Sequence, residues 1–287
     1  RYLNYLREDN FVKQVDYFKK SFKFFDCNQL FYINKPIDNS LFLTFDDGLK
    51  CHYKVHKILK KKGINGIFYI PTQILEKSNI LNVHKIHLIL AHHGPKKSFE
   101  ILSKFLERKM INEKDKQKFK GKIYQNQNDV ILFSQFKKIL NYYIKISYQD
   151  EVINKIFNYF FADEKKFFEN FYLSEKEIIE MRKNGMVIGS HSHTHKILTK
   201  LKKLQIKKEL TKSINIMKSF SNDLTFCYPY GGKKSYNDYT LNLLKKLKVK
   251  FALSVESRDI VSNDFKKNLL KLPRYDCNQF KFGKVLK

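Results

Sequence analysis

The sequence has no tryptophan, and cysteine, proline and glycine are scarce, at 4, 5 and 10 of 287 residues. So little glycine and proline excludes a collagen-like chain, and a hydrophobic content of 43% excludes an intrinsically disordered one. No apolar run approaches the roughly 18 residues that a membrane-spanning helix needs. The composition is therefore that of a globular protein, and the length fits a single α/β barrel.

The few cysteines, Cys27, Cys51, Cys227 and Cys277, are isolated from one another in the sequence. None forms a Cys-x-x-Cys pair, which argues against a zinc ribbon or a thioredoxin-type site. Because isolated cysteines provide no disulfide framework, they favour a reducing compartment, either the cytoplasm or the cytoplasmic face of a membrane. The chain begins at Arg1, so a signal or anchor segment further upstream stays open.

Arginine is also scarce, although the chain is strongly basic. Only six of the 56 basic residues are arginine, and with 28 acidic residues the formal net charge is +28. Proteins that read nucleic acid generally use arginine forks for phosphates and base edges, so the composition disfavours a nucleic-acid partner. We interpret the lysine excess as a solvated surface, and the alternative is an anionic partner such as an acidic glycan or a membrane surface.

Strands and helices alternate in two parts of the chain. Hydrophobic periodicity predicts strands, the first of them short and buried, at 41–45, 66–70, 186–189, 224–227, 251–255 and 269–272. It predicts helices at about 9–24, 49–63, 174–185, 202–220 and 236–248. The alternation indicates a parallel sheet and the fold class α/β, specifically a deformed (β/α) barrel.

Residues from about 72 to 173 interrupt this alternation. They are rich in Lys, Phe, Ile and Asn, and helical periodicity recurs at 83–91, 99–109, 131–143 and 152–161. We expect a single catalytic domain over 1–287 that carries this region as a large helical insertion. The insertion would form a wall or lid over the functional face or an oligomer contact, and the oligomeric state stays open.

Three polar clusters stand at the carboxyl ends of predicted strands, which converge on one face of a barrel. They are Asp46-Asp47, the segment 191–195 (His-Ser-His-Thr-His) and the segment 228–231 (Tyr-Pro-Tyr-Gly). Two histidines at i and i+4 with one carboxylate provide three ligands for a divalent metal and leave positions for water and substrate. A second, adjacent carboxylate could take a proton from metal-bound water, which indicates hydrolysis of a carbonyl compound.

The motifs T-F-D-D-G, H-S-H-T-H and P-Y-G, in this order, resemble the NodB-homology polysaccharide deacetylases, carbohydrate esterase family 4. The resemblance covers about 41–71 and 174–276. It implies a hydrolase acting on carbon–nitrogen bonds other than peptide bonds, which removes acetyl groups from an N-acetylated sugar or polysaccharide. The product would be a modified glycan and acetate.

The resemblance also implies a role for each matching residue. Asp47, His191 and His195 would hold the metal, commonly zinc and sometimes cobalt or nickel. Metal-bound water would be the nucleophile and Asp46 the general base. The backbone N–H of Tyr230 would stabilise the oxyanion, and Pro229 and Tyr230 would contact the substrate. Ser192 would hold the loop by hydrogen bonding.

The sequence departs from the family pattern at two places. The third motif of the family carries an arginine shortly before its proline, where 225–228 has none, and Arg274 is the predicted substitute. No histidine follows His195, whereas many members have their general acid there. That histidine would lie upstream of Arg1 or come from the remaining ones, His52, His56, His84, His87, His92 and His93. The alternative function is therefore a non-catalytic module that binds glycans or polyanions on a degenerate deacetylase fold.

Simpler interpretations apply to several other residues. His52 and His56 have chelating i, i+4 spacing, but an ordinary helix face is the preferred interpretation. His193 would point away from the two chelating histidines, toward supporting groups or solvent. Cys227 lies inside a predicted strand and is interpreted as a small core residue.

Overall fold

The structure, a computed structural model, describes residues 6–120 and 131–283. Its strands are β1 (Lys23–Phe24), β2 (Ser40–Leu41), β3 (Leu43–Phe45), β4 (Gly66–Ile70), β5 (Val187–Ser190), β6 (Thr225–Cys227) and β7 (Phe251–Leu253). Its α-helices are α1 (Glu8–Ser21), α2 (Cys51–Lys61), α3 (Asn82–Phe105), α4 (Glu113–Lys118), α5 (Ile131–Lys138), α6 (Ile146–Phe160), α7 (Glu164–Glu169), α8 (Glu175–Lys183), α9 (Lys203–Met217), α10 (Asp238–Lys246) and α11 (Ser262–Lys267).

Shorter helical turns connect these elements. The 3-10 turns are Cys27–Phe31, Thr72–Leu75, Arg108–Met110, Leu198–Lys200, Leu269–Lys271 and Cys277–Gln279, and a π-helical turn covers Ile139–Tyr143. The described residues divide into two compact bodies. The first body comprises residues 6–78 and 168–283, and the second comprises residues 79–120 and 131–167.

The first body is built on one parallel sheet. Within the described residues it has five strands in the spatial order β3-β4-β5-β6-β7, which is also their order along the chain. Parallel neighbours require crossover connections, and helices provide them here. The sheet curls into a half-barrel surrounded by helices, so the predicted fold class, a deformed (β/α) barrel with a large helical insertion, is confirmed.

The position of each strand in the sheet explains its sequence. Every residue of β4 is buried, because this strand has a paired neighbour on each side and both of its faces are covered. β3 is an edge strand and only half-buried, so the prediction of a buried strand over 41–45 is wrong in this respect. The run also divides at Phe42, because Leu41 pairs with β1 whereas Leu43 pairs with β4.

The strand predicted at 269–272 is wrong. Leu269–Lys271 forms a 3-10 turn, and Leu272 alone bridges to Leu253 of β7. The Leu270 carbonyl, which a continuing strand would use for pairing, accepts a hydrogen bond from the Tyr228 hydroxyl at 2.8 Å instead. Within this segment Leu272 alone is therefore paired with β7, and Pro273 and Arg274 follow it.

The second body is helical, as predicted for the interrupted region. The helices expected at 83–91 and 99–109 are two arms of α3, which kinks at Gly94, where φ is 68°, just before Pro95. The buried Lys85 ammonium lies 2.8 Å from Glu164 Oε1 and donates to Asn154 Oδ1 at 2.7 Å, which fixes α3 to α6 and α7. The boundaries 72–173 and the single-domain organisation stay predictions.

No helix among residues 6–120 and 131–283 combines the length and the apolar character needed to cross a bilayer.

Candidate metal centre

The three polar clusters follow strands of the parallel sheet at its carboxyl edge. Asp46 comes directly after β3, His191 directly after β5, and Pro229 two residues after β6. The structure brings Asp47, His191 and His195 together, with one ligand atom of each lying within 4.8 Å of the others. These are the residues that the family resemblance assigns to the metal.

The distances within this group suit a small divalent cation. Asp47 Oδ1 lies 3.2 Å from His195 Nε2 and 3.5 Å from His191 Nε2. Metal–ligand bonds of about 2.0–2.1 Å in tetrahedral geometry place neighbouring ligand atoms about 3.3–3.4 Å apart. Both imidazoles are buried, while about a quarter of the Asp47 side chain is exposed (25%), so the group is open on one side.

The position of the proton on His191 also indicates that this group can hold a divalent cation. Its Nδ1 donates to the Cys227 carbonyl oxygen at 2.7 Å, and burial lowers the pKa of this imidazole to about 4. At neutral pH the ring is therefore neutral, and the lone pair on Nε2 points toward the carboxylate of Asp47. Two electron-rich atoms at this distance repel each other unless a cation lies between them. Two imidazole nitrogens and a carboxylate oxygen fit zinc, cobalt or nickel.

Asp46, the predicted base, is held by Arg274. Arg274 Nη1 donates to Asp46 Oδ1 at 2.9 Å, and Nη2 donates to Oδ2 of the same carboxylate. The guanidinium is fixed in turn by Thr44 Oγ1 at 3.1 Å and by the Ser254 carbonyl at 3.2 Å. Burial alone would raise the pKa of Asp46, but the charge of Arg274 outweighs it and holds the pKa below its ordinary value. Asp46 is thus an ionised, rigidly oriented carboxylate beside the candidate metal ligands.

Cys227 also contacts Asp46, which the sequence did not indicate. The side chain is fully buried, as expected for a core residue, but its Sγ lies 3.6 Å from Asp46 Oδ2. Burial raises the pKa of this thiol well above its ordinary value, so it remains protonated and donates to the carboxylate. The available signal was its position shortly before Pro229, in the stretch where the family motif carries an arginine.

The segment that contains Pro229 and Tyr230 lies beside the histidines. Pro229 is buried and Tyr230 half-buried, and the Tyr230 ring centre is 5.2 Å from that of His195. Gly231 has φ of 56°, and a Cβ there would lie 2.6 Å from Val255 Cγ1, so only glycine fits without rearrangement. The Gly231 carbonyl accepts from the Val255 amide at 3.1 Å, which joins this turn to the segment after β7.

Two other histidines of the first body have structural surroundings. His56 is buried, its Nδ1 donates to the Tyr53 carbonyl at 2.7 Å, and its Nε2 accepts from Asn184 at 3.2 Å. His52 packs against the Phe45 ring at 5.7 Å. The helix face that carries them is therefore buried rather than solvated.

His193 is also buried, and of the two predicted surroundings, supporting groups or solvent, it has the first. Its Nδ1 hydrogen-bonds Thr72 Oγ1 at 2.9 Å, and its Nε2 lies 3.7 Å from Glu76 Oε2. Besides His52 and His56, the predicted candidates for the general acid are His84, His87, His92 and His93, which lie in the second body.

Comparisons with known proteins were made for the sequence and for the structure. The family model described as polysaccharide deacetylase matches residues 152–252, which include the His191–His195 loop and the Pro229–Gly231 turn. A search of curated protein sequences gives no significant match.

Several solved structures are similar in fold. Deacetylase PplD of Streptococcus pyogenes, in complex with acetate, is 16% identical; the match covers 96% of this chain and 83% of that one, with a TM-score of 0.56. IcaB of Ammonifex degensii is 13% identical over 93% of this chain and 82% of that one, with a TM-score of 0.52. The BpsB deacetylase domain of Bordetella bronchiseptica is 12% identical over 92% and 83%, with a TM-score of 0.52.

At these identities the solved structures establish the fold, while the family model covers the second and third motifs in sequence. The resemblance of this chain to the NodB-type polysaccharide deacetylases, carbohydrate esterase family 4, is therefore confirmed.

Proposed function

We propose that this chain is a metal-dependent carbohydrate deacetylase that hydrolyses the N-acetyl group of a sugar or polysaccharide to a free amine and acetate. The observation that carries the proposal is the joint placement of Asp47, His191 and His195 at ligand spacing, next to an ionised Asp46. These three side chains would hold zinc, or cobalt or nickel in its place. A divalent cation there would polarise the acetyl carbonyl and make a water molecule acidic enough to attack it.

Asp46 would take the proton that the attacking water loses. Its pKa is held low by Arg274, so the carboxylate is available as a base at neutral pH. The bidentate contact with Arg274 also fixes the direction in which the carboxylate oxygens point.

The turn at Pro229–Gly231 would complete the reaction site. The Tyr230 backbone N–H would donate to the oxyanion that develops on the acetyl oxygen, and Pro229 and Tyr230 would contact the sugar. A backbone donor in a turn that glycine and Val255 hold in place requires no reorganisation during the reaction. The net charge of +28 would attract an anionic glycan or bring the protein to an anionic membrane surface.

The test combines metal analysis with acetate release. The purified chain is stripped with a chelator, reloaded with Zn²⁺, and assayed for acetate released from N-acetylated oligosaccharides. Asp47→Asn should lose both bound zinc and acetate release, whereas Asp16→Asn, an exposed carboxylate on α1, should retain both. Full retention of metal and activity in Asp47→Asn would contradict the proposal. A wild-type chain that binds zinc and glycan but releases no acetate would favour the non-catalytic alternative.

A further inference from the structure

Several backbone groups of the loop between His191 and His195 are hydrogen-bonded. The Ser192 carbonyl accepts from the Thr72 amide and the His193 carbonyl from the Gln73 amide, each at 3.0 Å. The His195 amide donates to Ser192 Oγ at 3.1 Å. These bonds account for the carbonyls at the start of the loop and for the amide at its end.

Two amides in the middle of the loop, those of His193 and Thr194, converge on one side chain. Glu209 Oε1 accepts from the His193 amide at 3.0 Å, from the Thr194 amide, and from Thr194 Oγ1 at 2.9 Å. Glu209 is buried, with 8% of its surface exposed, and it is the only acidic residue of helix α9. A buried carboxylate with three donors on one oxygen forms charge-assisted bonds, which are stronger than neutral ones.

The loop needs such an anchor because its backbone is strained on both sides of these amides. Ser192 has φ of 63° and His195 has φ of 57°, in the left-handed region that non-glycine residues rarely adopt. His191 and His195 can reach one cation only while both turns persist. Glu209 binds the segment between them and so holds the two imidazoles at their present separation of 4.8 Å between ring centres.

We propose that Glu209 is a positioning residue for the metal centre, which acts through the backbone of His193 and Thr194 and touches neither metal nor substrate. This inference rests on the proposed function, because it requires that His191 and His195 hold the cation. The same helix also contacts the end of β5 through the hydroxyls of Ser213 and Ser190, and this contact does not involve the His193 and Thr194 amides.

The test measures metal affinity rather than activity. Zn²⁺ dissociation constants are determined by competition with a chromophoric chelator for the wild type, Glu209→Ala and Glu209→Gln. We expect Glu209→Ala to weaken zinc binding by about 10–100-fold, the range found for residues that orient metal ligands. Glu209→Gln keeps an acceptor oxygen and should recover part of this loss. The absorption spectrum of the Co²⁺ form should show an altered coordination geometry in Glu209→Ala.

Two controls on the same helix separate positioning from general stability. Ser213→Ala removes a buried contact of α9 without touching the 193–194 amides, so it should lower Tm but leave the zinc dissociation constant unchanged. Lys208→Ala removes an exposed charge next to Glu209 and should change neither Tm nor the zinc dissociation constant. An unchanged zinc affinity in folded Glu209→Ala, or an equal loss in Ser213→Ala, would overturn the inference. Absence of zinc binding in the wild type would instead refute the proposed function.

Discussion

Replacing Arg274 by methionine should change both the stability of the protein and the pH dependence of its activity. Methionine fills a similar volume but removes the two bonds to the Asp46 carboxylate. It also leaves Thr44 Oγ1 and the Ser254 carbonyl without this donor. The substitution therefore leaves a largely buried carboxylate next to Asp47 without its compensating charge.

The size of the effect follows from burial. Removing one partner of a buried ion pair costs about 3–5 kcal/mol of unfolding free energy. Asp46 is 25% exposed and Arg274 17% exposed, so water can partly solvate the remaining carboxylate. We therefore expect a loss near the lower end of that range, about 3 kcal/mol, at neutral pH for the metal-free protein.

The sign of the pH dependence can be worked out from the direction of the shift. In the wild type the pKa of Asp46 lies below its value in the unfolded chain, which is about 3.9. The ion pair therefore contributes its full stabilisation above about pH 3.9, and this contribution is lost as the pH falls through the pKa of the folded state. In Arg274→Met burial acts without opposition from the guanidinium and raises the pKa of Asp46. The stability difference between the two proteins should therefore be large at neutral pH and shrink in acid, where Asp46 is protonated in both proteins.

Urea unfolding of the chelator-treated proteins across the acid to neutral range measures the first effect, and the pH profile of acetate release measures the second. The acid limb of kcat/KM should move to higher pH in Arg274→Met. Arg258→Met is the matched control, because Arg258 also binds a carboxylate through two contacts of 2.7 Å, those to Asp264. The Arg258→Met variant should lose stability, but the acid limb of its kcat/KM profile should stay at the wild-type pH. A stability loss in Arg274→Met that is the same at every pH, with an unmoved acid limb, would refute the reasoning.

Three further outcomes are expected. Zn²⁺ added to chelator-treated wild type should raise Tm in a concentration-dependent manner, measured by calorimetry, because a ligand that binds only the folded state stabilises it. Gly189→Ala should lower the unfolding free energy by about 1–3 kcal/mol in urea titrations, since the new Cβ would lie 2.6 Å from the Tyr69 ring. Lys85→Ala should cost about 3 kcal/mol in the same assay, because it leaves the Glu164 carboxylate without its buried partner, whereas an unchanged value would show that the pair contributes nothing.

Local sequence patterns predicted the elements that local interactions determine. The run at 66–70 is a strand because five consecutive residues, most of them apolar, are covered on both faces. The Ser174–Glu177 pattern begins α8 with both hydrogen bonds of a capping box. In each case the residues that signal the element are also those that make its contacts.

Predictions were wrong where contacts between residues far apart in the sequence determine the local structure. The Tyr228 hydroxyl takes the carbonyl that a strand at 269–272 would have used, and no local pattern records that contact. Phe42 divides one apolar run between two sheets, because its neighbours pair with strands from different parts of the chain.

In the candidate site, too, local patterns were informative and contacts between distant segments were not. The motifs predicted which residues would lie near the sheet edge, and the structure places Asp47 with His191 and His195. Glu209 gave no signal, since it is one acidic residue in a lysine-rich helix and its partners are backbone amides of another segment. Cys227 was correctly placed in the core, but its contact with Asp46 depends on how β3 and β6 end at the same edge of the sheet.

Backbone strain connects these observations. Among the described non-glycine residues with positive φ are Asp47 at 79°, Ser192 at 63°, His195 at 57° and Tyr230 at 64°, all in the loops of the candidate site. Each such conformation costs about 1–3 kcal/mol and persists only where the surroundings determine it. The sheet can provide that support, because the loops begin within two residues of its strands and are held by side chains from outside the motifs, such as Glu209. The short motifs can therefore supply the reacting groups, while the accuracy of their placement depends on residues that the motifs do not contain.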